Sequence, residues 1–114
     1  MIIQQGMDRI RDKIAEELTK GELGSDGTAV TLADTEIGAA IAGTDKVNTV
    51  TTFFNGIKVE YVTDAGDGDG NDAREFVIRN NADLELTRVV FPEIAIDSFT
   101  EIAVNTQFIL LQEL

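Results

Sequence analysis

Residues 74–92, Arg-Glu-Phe-Val-Ile-Arg-Asn-Asn-Ala-Asp-Leu-Glu-Leu-Thr-Arg-Val-Val-Phe-Pro, leave this chain few choices of fold. β-Branched and aromatic residues flank Asn80-Asn81-Ala82-Asp83, which predicts two short strands, 75–79 and 84–91, folded back through a turn. Side chains alternate along a strand, so Phe76 and Ile78 share one face of the first, and Leu84, Leu86 and Val90 share one face of the second. Asn and Asp suit the turn because both tolerate positive φ and bond their own backbone. Arg88 interrupts the apolar face, which places it near a sheet edge or against a carboxylate. Pro92 cannot donate to a ladder and is expected to end the strand.

Two other stretches share this period. Residues 47–54 and 57–62 are rich in β-branched and aromatic side chains, and Asn55-Gly56 between them is a strong two-residue hairpin signal, since such turns need positive φ. Ile57, Val59 and Tyr61 then face one way, Lys58 and Glu60 the other. Residues 100–113 alternate as well, with Ile102, Val104, Thr106, Phe108 and Leu110 on one face and Ala103, Asn105, Gln107, Ile109 and Leu111 on the other. Across Phe108, Ile109, Leu110 and Leu111 both faces are apolar, which a half-exposed antiparallel sheet does not require. These four are the candidate oligomer interface, to be covered by a helix or by another chain.

Near the N-terminus the period changes. Met7, Ile10, Ile14 and Leu18 recur at three- and four-residue spacing and predict a helix over 7–20, with Asp8 in its first turn, Lys20 in its last and Gly21 as its stop. Its stripe is narrow and fits a sheet or a neighbouring subunit. Residues 22–33, punctuated by Gly24 and Gly27, read as a surface loop. A phosphate loop would need a Lys before Ser or Thr there, and the stretch has no Lys. Asp34-Thr35-Glu36-Ile37 reads as a short helical turn capped by Asp34, with Ile37 and Ile41 pinning it to the core. The expectation is a mainly β fold: a single-domain, small antiparallel β-sandwich with one N-terminal α-helix packed on it. Its parts are a helix at 7–20, a loop at 22–45 and a sheet at 46–113. A chain of 114 residues can support one core, and six Phe supply bulk for it.

Composition narrows the chemistry. Without His or Cys, the usual zinc sites, His-dependent triads and thiol nucleophiles are all ruled out. Carboxylates are too abundant for any pair to stand out as acid and base, so no catalytic residue is assigned and no enzyme is expected. Twenty-one acids against nine bases give a net charge of −12, scattered along the chain, which would repel phosphates; no nucleic-acid partner is expected. Such a surface belongs to a soluble acidic protein, or to one adapted to high salt, where self-repulsion is screened. No apolar run approaches the roughly 20 residues of a membrane span, and the start lacks a basic-then-apolar leader, so neither membrane insertion nor a signal peptide is expected.

Residues 64–72, Asp-Ala-Gly-Asp-Gly-Asp-Gly-Asn-Asp, are the one stretch suited to a ligand. Oxygen-bearing side chains interleaved with Gly could wrap a hard cation such as calcium through Asp64, Asp67, Asp69 and Asp72. Counted from Asp67, however, Asp72 stands where an EF-hand needs Gly, and Ile78 where it needs Glu. Two readings stay open: a flexible acidic connector, and a weak calcium clamp completed by a neighbouring subunit.

Taken in order, Gly6 with its helix, Gly24-Ser25-Asp26-Gly27-Thr28, Asp34-Thr35-Glu36-Ile37, Arg74-Glu75-Phe76-Val77-Ile78 and Arg88-Val89-Val90-Phe91-Pro92 resemble a family of small structural proteins of tailed viruses. These are the short tail, baseplate and fibre-attachment proteins of phages and archaeal viruses, including the N-terminal domains of tail-collar fibre proteins. Val77-Ile78-Arg79 stands where that family has a Gly-Leu-Phe-like run. Of the family's strand before the Gly-rich loop, only Glu22-Leu23 is visible. These 114 residues contain no fibre shaft, so an adaptor or assembly piece is expected. The resemblance implies a β-sandwich working in a trimer or ring among other virion proteins, located in the virion, with no catalytic residues. A capsid-surface turret or decoration protein, and a calcium- or carbohydrate-binding module using Asp64–Asp72 and an exposed Tyr61, are the alternatives.

Overall fold

Strand β5 (Asp72–Arg79) is the axis of the larger of two antiparallel sheets in this computed structural model, which describes residues 2–33 and 37–111. The other elements are α1 (Gln4–Ala15), β1 (Lys20–Gly24), β2 (Lys46–Val47), β3 (Thr49–Phe53), β4 (Gly56–Val62), β6 (Glu85–Ala95) and β7 (Ala103–Ile109). One sheet runs β2-β1-β5-β6 and the other β3-β4-β7. They enclose one core as a small β-sandwich with an N-terminal helix, the expected class.

Alternation builds the core. Phe76 and Ile78 of β5 and Leu23 of β1 meet Ile57, Val59 and Tyr61 of β4, all buried in one cluster. The Tyr61 and Phe76 rings sit 4.9 Å apart and tilted by 55°, a favourable aromatic arrangement. Val104 and Phe108 of β7 pack against the rim of this cluster, as the alternation of 100–113 requires. Strand β5 is buried on both faces, since Glu75 and Val77 are as shielded as Phe76 and Ile78.

The helix is displaced from its expected place. It spans Gln4–Ala15, not 7–20, and Lys20 and Gly21 belong to β1. Strand β1 pairs along its whole length with β5, from Lys20↔Arg79 to Gly24↔Glu75. That tertiary pairing overrides local helix propensity. Gly21 is therefore no helix stop. A Cβ there would meet the Tyr61 ring at 2.5 Å and Asn48 Oδ1 at 2.8 Å, so the strand can pass this close only as glycine. The loop expected at 22–33 begins only after Gly24, and the strand glimpsed at Glu22-Leu23 has five residues. Helix α1 has no fully buried residue. Its Ile14 and Ala15 touch the core, and Arg11 Nη1 donates to the Phe53 carbonyl at 3.0 Å.

Residues 47–54 do not form one strand. Val47 pairs with Lys20 in the larger sheet and Thr49 with Glu60 in the smaller. Between them Asn48 is buried, its backbone N–H donating to the Thr19 carbonyl at 2.8 Å and its Nδ2 to that of Leu18 at 3.1 Å. The β3–β4 hairpin forms, but Phe54-Asn55 make its turn and Phe53 pairs with Gly56. Neither turn residue has positive φ. Gly56 is needed as a strand residue beneath the Phe53 ring, whose Cζ lies 2.4 Å from where its Cβ would stand.

The 74–92 hairpin forms with extended limits: β5 starts at Asp72, and β6 runs through Pro92 to Ala95. The register shifts between Ala73↔Ile94 and Glu75↔Val90, so Pro92 lies in an irregularity of an edge strand, where its missing N–H breaks little of the ladder. Of Leu84, Leu86 and Val90, expected to share one face, the first two are exposed and Val90 is half-buried. The turn expected at 34–37 falls largely outside the described residues, while Ile37 and Ile41 are buried as anticipated.

Candidate functional site

Three places concentrate polar chemistry or unpaired backbone. The first lies on the outer face of the larger sheet, under residues 25–33 and 37–41, called the excursion below. Glu75 is wholly shielded there, and its carboxylate collects donors. Oε2 accepts from the Asp26 N–H at 2.7 Å and the Ala39 N–H at 3.3 Å; Oε1 accepts from the Gly38 N–H at 2.9 Å and Arg88 Nε at 3.0 Å. Arg88 also donates to the carbonyls of Thr28 at 3.0 Å and Asp26 at 3.2 Å. Arg88 thus satisfies both sequence expectations, an edge strand and a carboxylate partner. The excursion is stitched down by charge-assisted bonds, and the Gly24–Thr28, Arg74–Ile78 and Arg88–Pro92 motifs meet at this clasp. It is architectural, because every acceptor oxygen of Glu75 is already engaged by protein. Glu75 was not singled out from sequence. The available signal was an acid set next to Phe76, Val77 and Ile78 in a strand too apolar to have a wet face.

Beside the clasp, Arg79 Nη2 lies 2.8 Å from Glu22 Oε1 and 3.1 Å from Glu85 Oε1. Burial pushes the Glu22 carboxyl above its ordinary value, and Arg79 only partly opposes this. A cleft of about 310 Å³ runs between Val30-Thr31-Leu32 and Glu85–Arg88. Of the charged side chains that line it, Arg88 is engaged by the clasp and Glu85 by Arg79 and the Ile37 N–H.

The second place is the loop 64–72. Asp67, Asp69 and Asn71 donate their N–H groups to the carbonyls of Asp64, Gly66 and Gly68, giving three successive turns. Each carries glycine in its third position, with φ of 84°, 77° and 86° at Gly66, Gly68 and Gly70, as type II turns require. The loop is therefore a regular structure, not a loose connector. Lys46 Nζ lies 2.8 Å from Asp67 and 3.5 Å from Asp64, so a resident cation already relieves part of the repulsion. Bonds from Lys46 and from the Asp64 N–H hold the Asp67 carboxyl below its usual range. Asp69 and Asp72 are exposed. No group of three acidic side chains placed to hold a metal ion forms among the described residues; of Asp64, Asp67, Asp69 and Asp72, the first two meet at Lys46. Tyr61 is no sugar platform: it is completely buried and its hydroxyl donates to the Thr44 carbonyl at 2.6 Å.

The third place is β7, the last strand of the smaller sheet. Of the four interface candidates, Phe108 packs inward and Leu110 is half-buried, while Ile109 is 47% and Leu111 84% exposed. The helix does not cover this strand; it packs on β3 and β4 instead. Phe53 and Phe54 at the neighbouring hairpin end are exposed too. No helix among the described residues is long and apolar enough to cross a membrane.

Compared with family models, with curated proteins and with solved structures, the chain matches none.

Proposed function

We propose that the chain is a virion structural protein of a tailed virus, assembled into the tail, baseplate or a fibre attachment and performing no catalysis. One observation carries this reading: β7 is an open sheet edge that pairs with β4 alone, with Ile109 and Leu111 exposed at its C-terminal end. Exposed apolar side chains at an unpaired, uncharged strand edge suit a surface that is covered in an assembly. The ordered motifs that resemble tail-collar proteins support the same reading. The partners in this proposal are further copies of the chain, in a trimer or ring, and other virion proteins.

The test is particle composition. Tailed particles purified from cells carrying this gene are examined by peptide mass spectrometry and by immunogold labelling against the chain. Label at the tail end is the expected result. Label spread over the head would reassign the chain to capsid decoration, and its absence from purified particles would overturn the reading.

A further inference from the structure

We propose that two copies of this chain join through β7, antiparallel and centred on Thr106, so that the two three-stranded sheets become one continuous six-stranded sheet. This rests on the assembly reading above and names the contact and its register. Among the described residues the two sheets offer four edges for such pairing, and three are closed. β2 is only two residues long. β6 carries Glu85, Arg88 and Glu93, contains Pro92 and has two register irregularities, the usual devices that blunt an edge. β3 is flanked by α1, whose Arg11 and Gln4 donate to the carbonyls of Phe53 and Phe54. β7 has none of these protections. It pairs with β4 alone, and residues 102–112 contain no charged side chain, although the chain is 26% charged.

The unpaired groups on that edge can be assigned. Leu110 donates its N–H to Asn55, and the Ile102 carbonyl accepts from Thr63, so even-numbered residues point their backbone groups at β4. Backbone groups alternate along a strand, so Ala103, Asn105, Gln107 and Ile109 offer theirs outward.

The occupant is argued from the strand itself. About Thr106 the sequence Ala-Val-Asn-Thr-Gln-Phe-Ile is self-complementary in an antiparallel register. Asn105 falls opposite Gln107 of the second copy, and Ala103 opposite Ile109; these are the residues with free backbone groups, and each pair can exchange both hydrogen bonds. On the inner face Val104 falls opposite Phe108, and Thr106 meets its own counterpart at the two-fold axis. Amide meets amide, apolar meets apolar, and Thr–Thr is a favourable cross-strand pair. A one-residue slip would set these odd-numbered residues opposite even-numbered ones, whose backbone groups already face β4, and forfeit the match. Charge points to the same partner. Two bodies of net charge −12 repel, and this uncharged edge lets them approach without setting carboxylates face to face. The contact is isologous and closes as a pair, so the trimer or ring of the proposed function would need a second, different surface.

The chain has no cysteine, so a single introduced one reports the register directly. Thr106 would form a non-hydrogen-bonded pair with Cα atoms about 4.5 Å apart, within disulfide range. Thr106→Cys should therefore oxidise to a covalent dimer, while Ala103→Cys, opposite Ile109, should not. Sedimentation equilibrium of the unmodified chain should give twice the chain mass. Gln107→Pro removes only an outward N–H and should yield a folded monomer. If that variant fails to fold, the double variant Asn105→Asp, Gln107→Glu sets like charges opposite each other and should dissociate the pair. A chain that stays monomeric at high concentration overturns the proposal. So does a dimer that survives both variants without Thr106→Cys crosslinking; assembly would then use another surface and the virion reading would stand. Failure of that reading shows separately, as absence of the chain from particles.

Discussion

Arg88 and Glu75 lie on neighbouring strands and meet beneath the excursion of residues 25–33 and 37–41, Arg88 Nε donating to Glu75 Oε1 at 3.0 Å with their side chains 6% and 0% exposed. A buried charge pair of this kind is expensive to form and more expensive to break, because the surviving partner keeps its charge out of water. Here the carboxylate also accepts three loop N–H groups. Glu75→Ala should therefore cost about 3–5 kcal/mol, read from urea unfolding. Replacing both Glu75 and Arg88 by Met should restore only part of this, since the N–H groups of Asp26, Gly38 and Ala39 still lose their acceptor. Full recovery in the double variant would show that the loss in Glu75→Ala came from the stranded Arg88 charge and not from the loop N–H groups.

Glu22 gives a pH dependence with a definite sign. Its folded carboxyl titrates above the ordinary 4.5 because burial disfavours the charge. The folded state then binds its proton more tightly than the unfolded state, so stability falls as pH rises from 4.5 through the folded value. Glu22→Gln should remove that fall and leave the protein more stable at pH 7, with Arg79 still paired to Glu85. Asp67 and Asp97 act oppositely: bonds to Lys46, and to the Phe99 N–H and Thr100 hydroxyl, lower them below 3.8, so their contribution is lost as pH drops. Chemical denaturation from pH 3 to 8 checks both arms. A Glu22→Gln curve parallel to the unmodified one would move the upper arm to another carboxylate.

The sandwich was legible wherever alternation was strong, as at Phe76-Val77-Ile78, Ile57–Tyr61 and Ile102–Leu110. It was misread where a short segment is held by partners distant in sequence. Lys20–Gly24 has weak strand propensity and follows helix-like spacing, yet it pairs along its length with residues 75–79. Asn48 divides one sequence run between two sheets through bonds to Leu18 and Thr19 that no local pattern reveals. The exposure of Ile109 and Leu111 at the end of β7 was visible as excess apolarity. The Glu75 clasp was not, because its ligands are backbone N–H groups of a loop.

Gly68 and Gly70 separate backbone strain from packing. Both hold positive φ, at 77° and 86°. A Cβ on Gly70 meets nothing within 4 Å, whereas one on Gly68 meets Ile41 Cγ2 at 2.9 Å and Ile96 Cδ1 at 3.2 Å. Gly70→Ala should cost about 1–2 kcal/mol from the left-handed backbone alone. Gly68→Ala should cost clearly more, because the core must also shift. Equal losses in thermal or urea unfolding would mean that the core beneath the loop yields freely.

Thermal stability should rise with salt. The net charge of −12 opposes compaction at low ionic strength, and screening removes that cost. The surface ion pairs that salt weakens, such as Lys13–Glu16 and Lys58–Glu60, are exposed and contribute little. Melts from low to molar sodium chloride should show a steady increase in Tm. A flat or falling Tm would leave the acidic surface without a role in salt tolerance.

Calcium should bind the 64–72 loop weakly or not at all. The carboxylates of Asp64 and Asp67 share Lys46, so a divalent ion would have to displace a cation already in place. Asp69 and Asp72 point no further ligands at them, and the bidentate Glu of a tight site is missing at the required distance. The glycines fix three turns whose N–H groups are already bonded within the loop or to Ile96, so its backbone does not need an ion to become ordered. Calorimetric titration should therefore give no dissociation constant tighter than about 10⁻⁴ M. The Asp67→Asn, Asp69→Asn double variant should give the same negligible heat as the unmodified chain. Lys46→Met is the informative companion, since it leaves Asp64 and Asp67 facing each other without a counter-charge. A saturable calcium isotherm that appears only in that variant would show that Lys46 occupies the position a metal would take. An isotherm already present in the unmodified chain, and lost with Asp67 and Asp69, would make the loop a calcium site.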